Sequence, residues 1–135
     1  MTIRTALTIR NQALTLALGK IDQGSGAGFI KFYAGTIPAN PESSPVGSLL
    51  ATLTFSKPAF GTVSNSISTA AAITNGTVVT NGTVGWFRIT DSAGTALFDG
   101  TVTVTGGGGD LTFNTIVWVS GGTIGITSLN MEFPL

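Results

Sequence analysis

The stretch VGWFRITDSAGTALFDGTVTV, residues 84–104, decides the fold class of this chain. Side chains in both halves change character at every second residue, so that Trp86 and Arg88 share one face of the first half and Phe87 takes the other. Between the halves, residues 91–94 (DSAG) have the composition of a tight turn. The stretch therefore predicts two antiparallel strands joined as a hairpin.

Four further segments have the same period of two. They are residues 28–35 (GFIKFYAG), 48–55 (SLLATLTF), 110–119 (DLTFNTIVWV) and 123–133 (TIGITSLNMEF). Glycine, proline, asparagine and aspartate separate the strands at intervals of about ten residues, which is typical of an antiparallel β-sandwich. In the last segment the parity of the apolar positions changes between Ile126 and Leu129, so we expect a bend or bulge near residues 127–128.

Residues 1–26 fit two structures. In a helix, Leu7, Leu14 and Leu18 lie close to one face, and the glycines of residues 24–28 (GSGAG) end the helix. In strands, the threonines and alternating leucines fit a hairpin that turns at residues 11–12. Periodicity alone does not decide between the two.

The length and the charges restrict the class of protein. The chain has 135 residues, the size of one domain, and six Lys and Arg residues balance six Asp and Glu residues. With no net charge to attract polyanions, we expect neither nucleic acid nor a membrane as a partner. Charged residues make up 9% of the chain, where about 25% is typical. A surface so poor in charge favours permanent contact with other protein chains and predicts a homo-oligomer.

Missing residue types exclude several kinds of active site. The chain has no cysteine and no histidine, so it has no thiol nucleophile, no thiolate metal site and not the most common general base. None of the glycine clusters has the spacing of a phosphate-binding loop. We therefore predict a protein that is not an enzyme and that uses no cofactor or metal.

The other candidates for chemistry have simpler structural explanations. Asp91, Asp99 and Asp110 adjoin glycine-containing turns, where aspartate caps the turn, and this is favoured over a glycosidase acid and base pair. Trp86 and Trp118 lie in apolar runs, so we expect both in the core and not on a sugar-stacking platform. The sequence shows neither a secretory signal nor a membrane span, which predicts a soluble protein.

Three stretches carry a resemblance to a known family: residues 28–61 (GFIKFYAGTIPANPESSPVGSLLATLTFSKPAFG), 85–103 (GWFRITDSAGTALFDGTVT) and 110–134 (DLTFNTIVWVSGGTIGITSLNMEFP). In order and pattern the chain resembles small virion proteins encoded near the head genes of tailed bacteriophages. The resemblance implies a mainly β protein, an antiparallel jelly-roll-like β-sandwich with an N-terminal helix. It favours the helix for residues 1–26, followed by a sandwich over residues 27–135, within a single domain.

The resemblance also implies a function. Some of these proteins are capsid decoration or cement subunits, which bind between major capsid proteins and stabilise the shell. We therefore expect a virion structural protein, made in the host cytoplasm and located on the capsid surface, whose partners are the major capsid protein and copies of itself. The alternative is a receptor- or glycan-binding module of a tail fibre or spike.

Two segments are predicted to contact the partner. The N-terminal segment has more apolar residues than one helix face needs, and its candidate contacts are Ile3, Arg4, Leu7 and Arg10. The proline-rich loop after residue 35 cannot join a sheet, and its candidate contacts are Ile37, Pro38, Pro41 and Pro45.

Overall fold

The structure, a computed structural model, describes residues 3–132 and is mainly β with one N-terminal helix, as the sequence predicts. Helix α1 spans Leu7–Gly19 and continues as a 3-10 turn, Lys20–Asp22. The strands of the described residues are β1 (Phe29–Ala34), β2 (Leu49–Thr54), β3 (Ile67–Thr69), β4 (Gly76–Thr77), β5 (Gly82–Thr90), β6 (Ala96–Val104), β7 (Leu111–Phe113), β8 (Val117–Trp118), β9 (Thr123–Ile124) and β10 (Asn130–Glu132).

Helix α1 depends on tertiary contacts. Ala6, at its N-terminus, makes no side-chain capping bond. One turn apart, Leu14 and Leu18 are buried in the same core as the strands, and Asn11 Oδ1 accepts a hydrogen bond from Ser66 N at 2.7 Å. The alternative hairpin at residues 11–12 is therefore wrong. Burial of the leucine face stabilises this helix more than its own capping does.

The main sheet has the strand order β2-β1-β5-β6-β7, and β8 also pairs with β5. The hairpin predicted from residues 84–104 is confirmed: β5 and β6 pair in antiparallel register with Arg88 opposite Asp99. Its turn is capped by Asp91, whose Oδ1 accepts hydrogen bonds from Ala93 N at 3.0 Å and Thr95 N at 2.9 Å. The turn chemistry predicted for Asp91 is thus confirmed as well.

The hydrophobic core lies on one face of the main sheet, where Ile30, Phe32 and Phe87 are buried. Two small antiparallel pairs, β3 with β10 and β4 with β9, lie outside the main sheet. The segments that carry them add Val78 and Leu129 to the same core. The helix and all three sets of strands therefore share one apolar interior.

Residues 110–119 do not form the single strand that their pattern predicts. They form β7 and β8, separated by residues 114–116, and β7 runs parallel to β6 in a sheet expected to be antiparallel throughout. Parallel neighbours usually need a crossover of a dozen or more residues, but here the loop of residues 105–110 suffices. Gly106 and Gly108 adopt φ angles of 88° and 83° in that loop, a left-handed conformation that glycine adopts without strain.

The bend expected in the last segment is confirmed. Strand β9 ends at Ile124 and β10 begins at Asn130, with residues 125–129 outside any strand. Leu129 is buried, while Ile126 is partly buried against the core. The interruption keeps Ile126, Leu129 and Met131 against the core, and Phe133 lies outside the described residues.

Gly100 is required by close packing inside the hairpin. A Cβ atom at this position would overlap the ring of Phe87, which lies opposite on β5 and belongs to the core. We expect Gly100→Ala to lower the free energy of unfolding by about 1–3 kcal/mol, the usual cost of overpacking, in urea denaturation. Gly19→Ala is the control, because its Cβ meets no heavy atom within 4 Å. An equal effect of both substitutions would contradict the packing argument.

Candidate functional site

The N-terminal candidates lie on an exposed arm and on the first turns of α1. Ile3, Arg4 and Leu7 are exposed, Ile3 by 76%. Arg10 is partly buried, and its Nη1 donates a hydrogen bond to Thr5 O at 2.6 Å. Ile3, Arg4 and Leu7 are therefore available to a partner, and Arg10 is partly engaged within the chain.

The proline-rich loop candidates lie against the protein itself. Ile37, Pro38 and Pro41 are partly buried and Pro45 is exposed. The loop is tied to β5, because Arg88 Nη1 donates a hydrogen bond to Ser43 O at 2.8 Å. The structure thus gives this loop a role within the chain, as a cover for part of the main sheet.

Under the loop, on the sheet face opposite the core, lies a cluster of four side chains. Tyr33 and Trp86 stack with ring centroids 4.5 Å apart and planes inclined by 16°. The Arg88 guanidinium lies 5.2 Å from the Trp86 ring centroid. Asp99 accepts two hydrogen bonds from Arg88, from Nε at 2.7 Å and from Nη2 at 2.8 Å. The aromatic pair and the ion pair together form a second buried layer.

This cluster corrects two expectations. Trp86 is buried, as expected, but it lies beneath the loop and not in the core, because the alternation of β5 directs Phe87 to the core instead. Asp99 does not cap a turn; it forms the ion pair with Arg88, and both side chains are 5% exposed. The turn alone does not predict this pair, because pairing of Thr90 with Ala96 would place residue 88 opposite residue 98. A register shift between Ile89 and Thr90 brings Asp99 opposite Arg88 instead.

The electrostatics of the cluster favour the charged form of Arg88 and the neutral form of Tyr33. The hydrogen bonds with Asp99 raise the pKa of Arg88, so the guanidinium stays charged. Burial raises the pKa of Tyr33, so its phenol stays neutral near pH 7. Neither group is poised to exchange a proton at neutral pH, which argues for a structural role.

The third aspartate, Asp110, also has structural partners. Its Oδ2 accepts hydrogen bonds from Thr101 N at 2.9 Å and Thr101 Oγ1 at 3.0 Å. Across residues 3–132, His, Cys, Asp and Glu side chains nowhere form a group of three that could hold a metal ion. Hydrogen bonding to Thr101 therefore accounts for the placement of Asp110 without a ligand.

An exposed aliphatic region, which we name the valine surface, consists of Val79, Val117 and Val119. Each of the three side chains is 63–64% exposed. Val79 N donates a hydrogen bond to Leu50 O at 2.8 Å, and Val117 pairs with Thr83. The valine surface therefore lies at the end of the main sheet where β2 and β5 begin.

A second exposed aliphatic region, the helix surface, consists of Ile9 and Leu16, which are 53% and 68% exposed. They are seven residues apart on α1 and so share a face, away from the buried leucines. The 3-10 turn after α1 brings Ile21 against Gly28 and Thr90, where β1 begins and β5 ends. The C-terminal end of α1 and the valine surface thus lie at opposite ends of the main sheet.

The helix surface lies within the N-terminal segment that the sequence predicts as a contact, although Ile9 and Leu16 were not among the named residues, and the valine surface was not predicted. A signal for the valine surface was present, because Val79 lies between two Asn-Gly-Thr triplets and Val119 precedes Ser-Gly-Gly, so both sit beside turns that face solvent. For Ile9 and Leu16, the sequence alone left open whether the segment was helical. The exposed helix face follows only once the helix is established.

Two grooves lie along β6 and β7. The polar groove, of about 440 Å³, runs between β7 and residues 125–128 and is lined by Thr105, Asp110, Thr112, Phe113, Asn114 and Ser128, among others. The edge groove, of about 340 Å³, runs along β6 and is lined by Phe98, Asp99, Asp110, Leu129, Met131 and Glu132, among others. Asp110 belongs to both, so the two grooves adjoin.

Comparison with known proteins gives no relative for this chain. No family model matches it, and neither a curated protein nor a solved structure matches it.

Among the described residues, no helix is long and apolar enough to cross a membrane.

We expect Trp86→Ala to destabilise the fold by about 3–5 kcal/mol, the usual cost of removing a large buried aromatic side chain. The substitution removes both the stacking of the indole ring on Tyr33 and its contact with the Arg88 guanidinium. Chemical denaturation measures the change, and Trp86→Phe, which keeps an aromatic ring, should lose less. An unchanged free energy of unfolding for Trp86→Ala would show that the second layer does not stabilise the protein.

Tyr33 should make stability fall at high pH. Because burial raises its pKa above the ordinary 10.0, the folded protein binds the phenol proton more tightly than the unfolded chain does. This contribution is complete below pH 10 and is lost as the pH rises through the pKa of the folded state. Tyr33 is the only tyrosine, so tyrosinate absorbance should titrate later in native than in denatured protein.

The control for the pH dependence is Tyr33→Phe. Lysines also titrate in this range, so the quantity of interest is the difference between wild type and variant. The stability of the variant should fall less steeply above pH 10. Equal titration midpoints in native and denatured protein would contradict the effect of burial.

Proposed function

We propose that this protein is a non-enzymatic structural subunit of a tailed-bacteriophage virion, a capsid decoration or cement protein with a jelly-roll-like β-sandwich. It binds between major capsid proteins on the capsid surface, stabilises the shell and is made in the host cytoplasm. The resemblance of the sequence to small virion proteins motivates this proposal. The observation that supports it in the structure is the presence of two aliphatic surfaces on different elements, the helix surface on α1 and the valine surface where β2 and β5 begin.

Two separated surfaces suit a subunit that joins two neighbours. The valine surface exposes three side chains by 63–64% each, and burying one such side chain fully contributes about 1.5–3 kcal/mol. Burial of the three valines therefore contributes substantial binding free energy for each subunit, and this contribution is repeated at every subunit on the shell. Charge-poor, aliphatic surfaces are also typical of the centre of a permanent interface.

The charges support contact by apolar burial over attraction between opposite charges. The chain has no net charge, and the Arg88–Asp99 pair is buried within the protein. Added salt screens exposed charge pairs but does not weaken apolar burial. Attachment to the capsid should therefore persist in moderate salt.

The test is rebinding of purified protein to capsids that lack it, measured by cosedimentation. We expect the double variant Val117→Asp/Val119→Asp to lose binding while keeping the wild-type melting temperature, because it places charge in the contact without touching the core. Thr127→Asp/Ser128→Asp is the matched control, since it adds the same two charges at exposed positions outside both aliphatic surfaces. Binding of the double valine variant at wild-type level would overturn the assignment of the valine surface, and release of wild-type protein by moderate salt would overturn the apolar mechanism.

A second candidate function is a receptor- or glycan-binding module of a tail fibre or spike. The polar groove favours it, because hydroxyl, amide and carboxylate groups converge there from Thr112, Asn114, Ser128 and Asp110, as in sites that orient a polar ligand. Both tryptophans are buried, which removes the best stacking platforms for a sugar ring. Binding to an array of bacterial glycans that is lost in Asn114→Ala would favour this function over capsid decoration.

A further inference from the structure

Strand β6 has an outer edge that is only half paired. Along one side, β5 pairs with it from Ala96 to Thr101. On the other side, β7 pairs only with residues 102–104. Within residues 3–132, no strand pairs with Ala96–Gly100 on that outer side, and β10 lies across the edge groove from it. Among the described residues, the strand position in line with β7 is therefore unpaired.

The backbone at this position faces outward. Thr101 N donates a hydrogen bond to the Asp110 side chain, which shows that the peptide groups of Thr101 face the outer edge. Since backbone direction alternates along a strand, the N–H and C=O of Asp99 face the same edge. A strand edge with outward peptide groups is a template for the addition of another strand.

The edge groove lies beside this position and has two chemical parts. Its apolar lining comes from Phe98, Leu129 and Met131, and carboxylates come from Asp110 and Glu132. Asp110 and Glu132 are exposed, whereas Leu129 is buried. The groove therefore fits an extended segment that alternates an apolar side chain with a cation.

The N-terminal arm of this chain, residues 3–6 (IRTA), has that pattern. Its residues are exposed and outside any helix or strand, and Ala6, at its end, has the extended backbone angles φ −60° and ψ 145°. The arm places apolar Ile3 next to cationic Arg4. In a strand these two side chains point to opposite faces, so Ile3 directed at the apolar lining leaves Arg4 on the side where Asp110 binds Thr101.

We propose that the N-terminal arm of a second copy adds to the outer edge of β6 as a strand, with Ile3 in the edge groove and Arg4 paired with its carboxylates. The docking is between copies, because within one chain Ile3 is 76% exposed. This proposal concerns self-association and does not depend on the capsid contact or on the valine surface. The contact between the N-terminal arm and the edge of β6 makes the protein a homo-oligomer.

The test uses the absence of cysteine from the natural chain. Full-length Ile3→Cys is mixed under mild oxidation with full-length Met131→Cys carrying a size tag, and mixed disulfide-linked dimers are followed with time. Local concentration in a docked complex should make this crosslink form at least about tenfold faster than one from an undocked position. Ile9→Cys mixed with Met131→Cys is the matched control, because Ile9 is also exposed but lies on α1.

A charge reversal tests the recognition itself. Adding Arg4→Glu to Ile3→Cys should slow the crosslink to the control rate, and light scattering of the Arg4→Glu protein should show less self-association than wild type. Arg4 is exposed, so this substitution leaves the fold intact, which the melting temperature verifies. Equal rates for Ile3→Cys and Ile9→Cys would overturn the proposal. So would a crosslink that forms only within the monomer of the Ile3→Cys/Met131→Cys double variant.

Discussion

The pairing of Arg88 with Asp99 across the β5–β6 hairpin fixes the register on which both faces of the main sheet depend. A slip of one residue would turn Phe87 away from the core and Trp86 into it. A buried ion pair adds little net stability, but leaving one partner unpaired is costly, so it discriminates strongly against the wrong register. The same guanidinium holds Ser43 of the proline-rich loop, which connects the strand register to the cover over the outer face.

Local patterns predicted most of the fold. The hairpin, the strands at residues 29–34 and 49–54 and the bend before β10 follow from alternation and turn residues, each of which acts within a few positions. The parallel placement of β7 could not be predicted, because it depends on how the glycine loop folds back against β6. Periodicity left the structure of residues 1–26 undecided for the same reason. The helix is stabilised by burial of Leu14 and Leu18 in the core, which the local sequence does not show.

The candidate site was less accessible to sequence reasoning. The exposure of the three valines can be predicted only when the strand pairing is known. Alternation assigns each valine to one of two faces but does not show which face other segments cover. The proline-rich loop was predicted as a partner contact because proline cannot extend a sheet. Its hydrogen bond to Arg88 through Ser43 joins residues 45 positions apart, which no local pattern indicates. Asp99 shows the same limit: its neighbour Gly100 suggested a turn, whereas its partner is eleven positions away.

Trp86 and Trp118 lie on opposite faces of the sheet, so their fluorescence reports on different parts of the protein. Trp118 is packed edge-on against Phe32 and Phe113 in the core, while Trp86 lies under the loop, stacked on Tyr33. Loops can open locally at much lower free energy than the whole fold. Fluorescence from Trp86 should therefore respond to lifting of the loop in a protein whose Trp118 emission is still native, so that one chain contains separate reporters for its cover and its core.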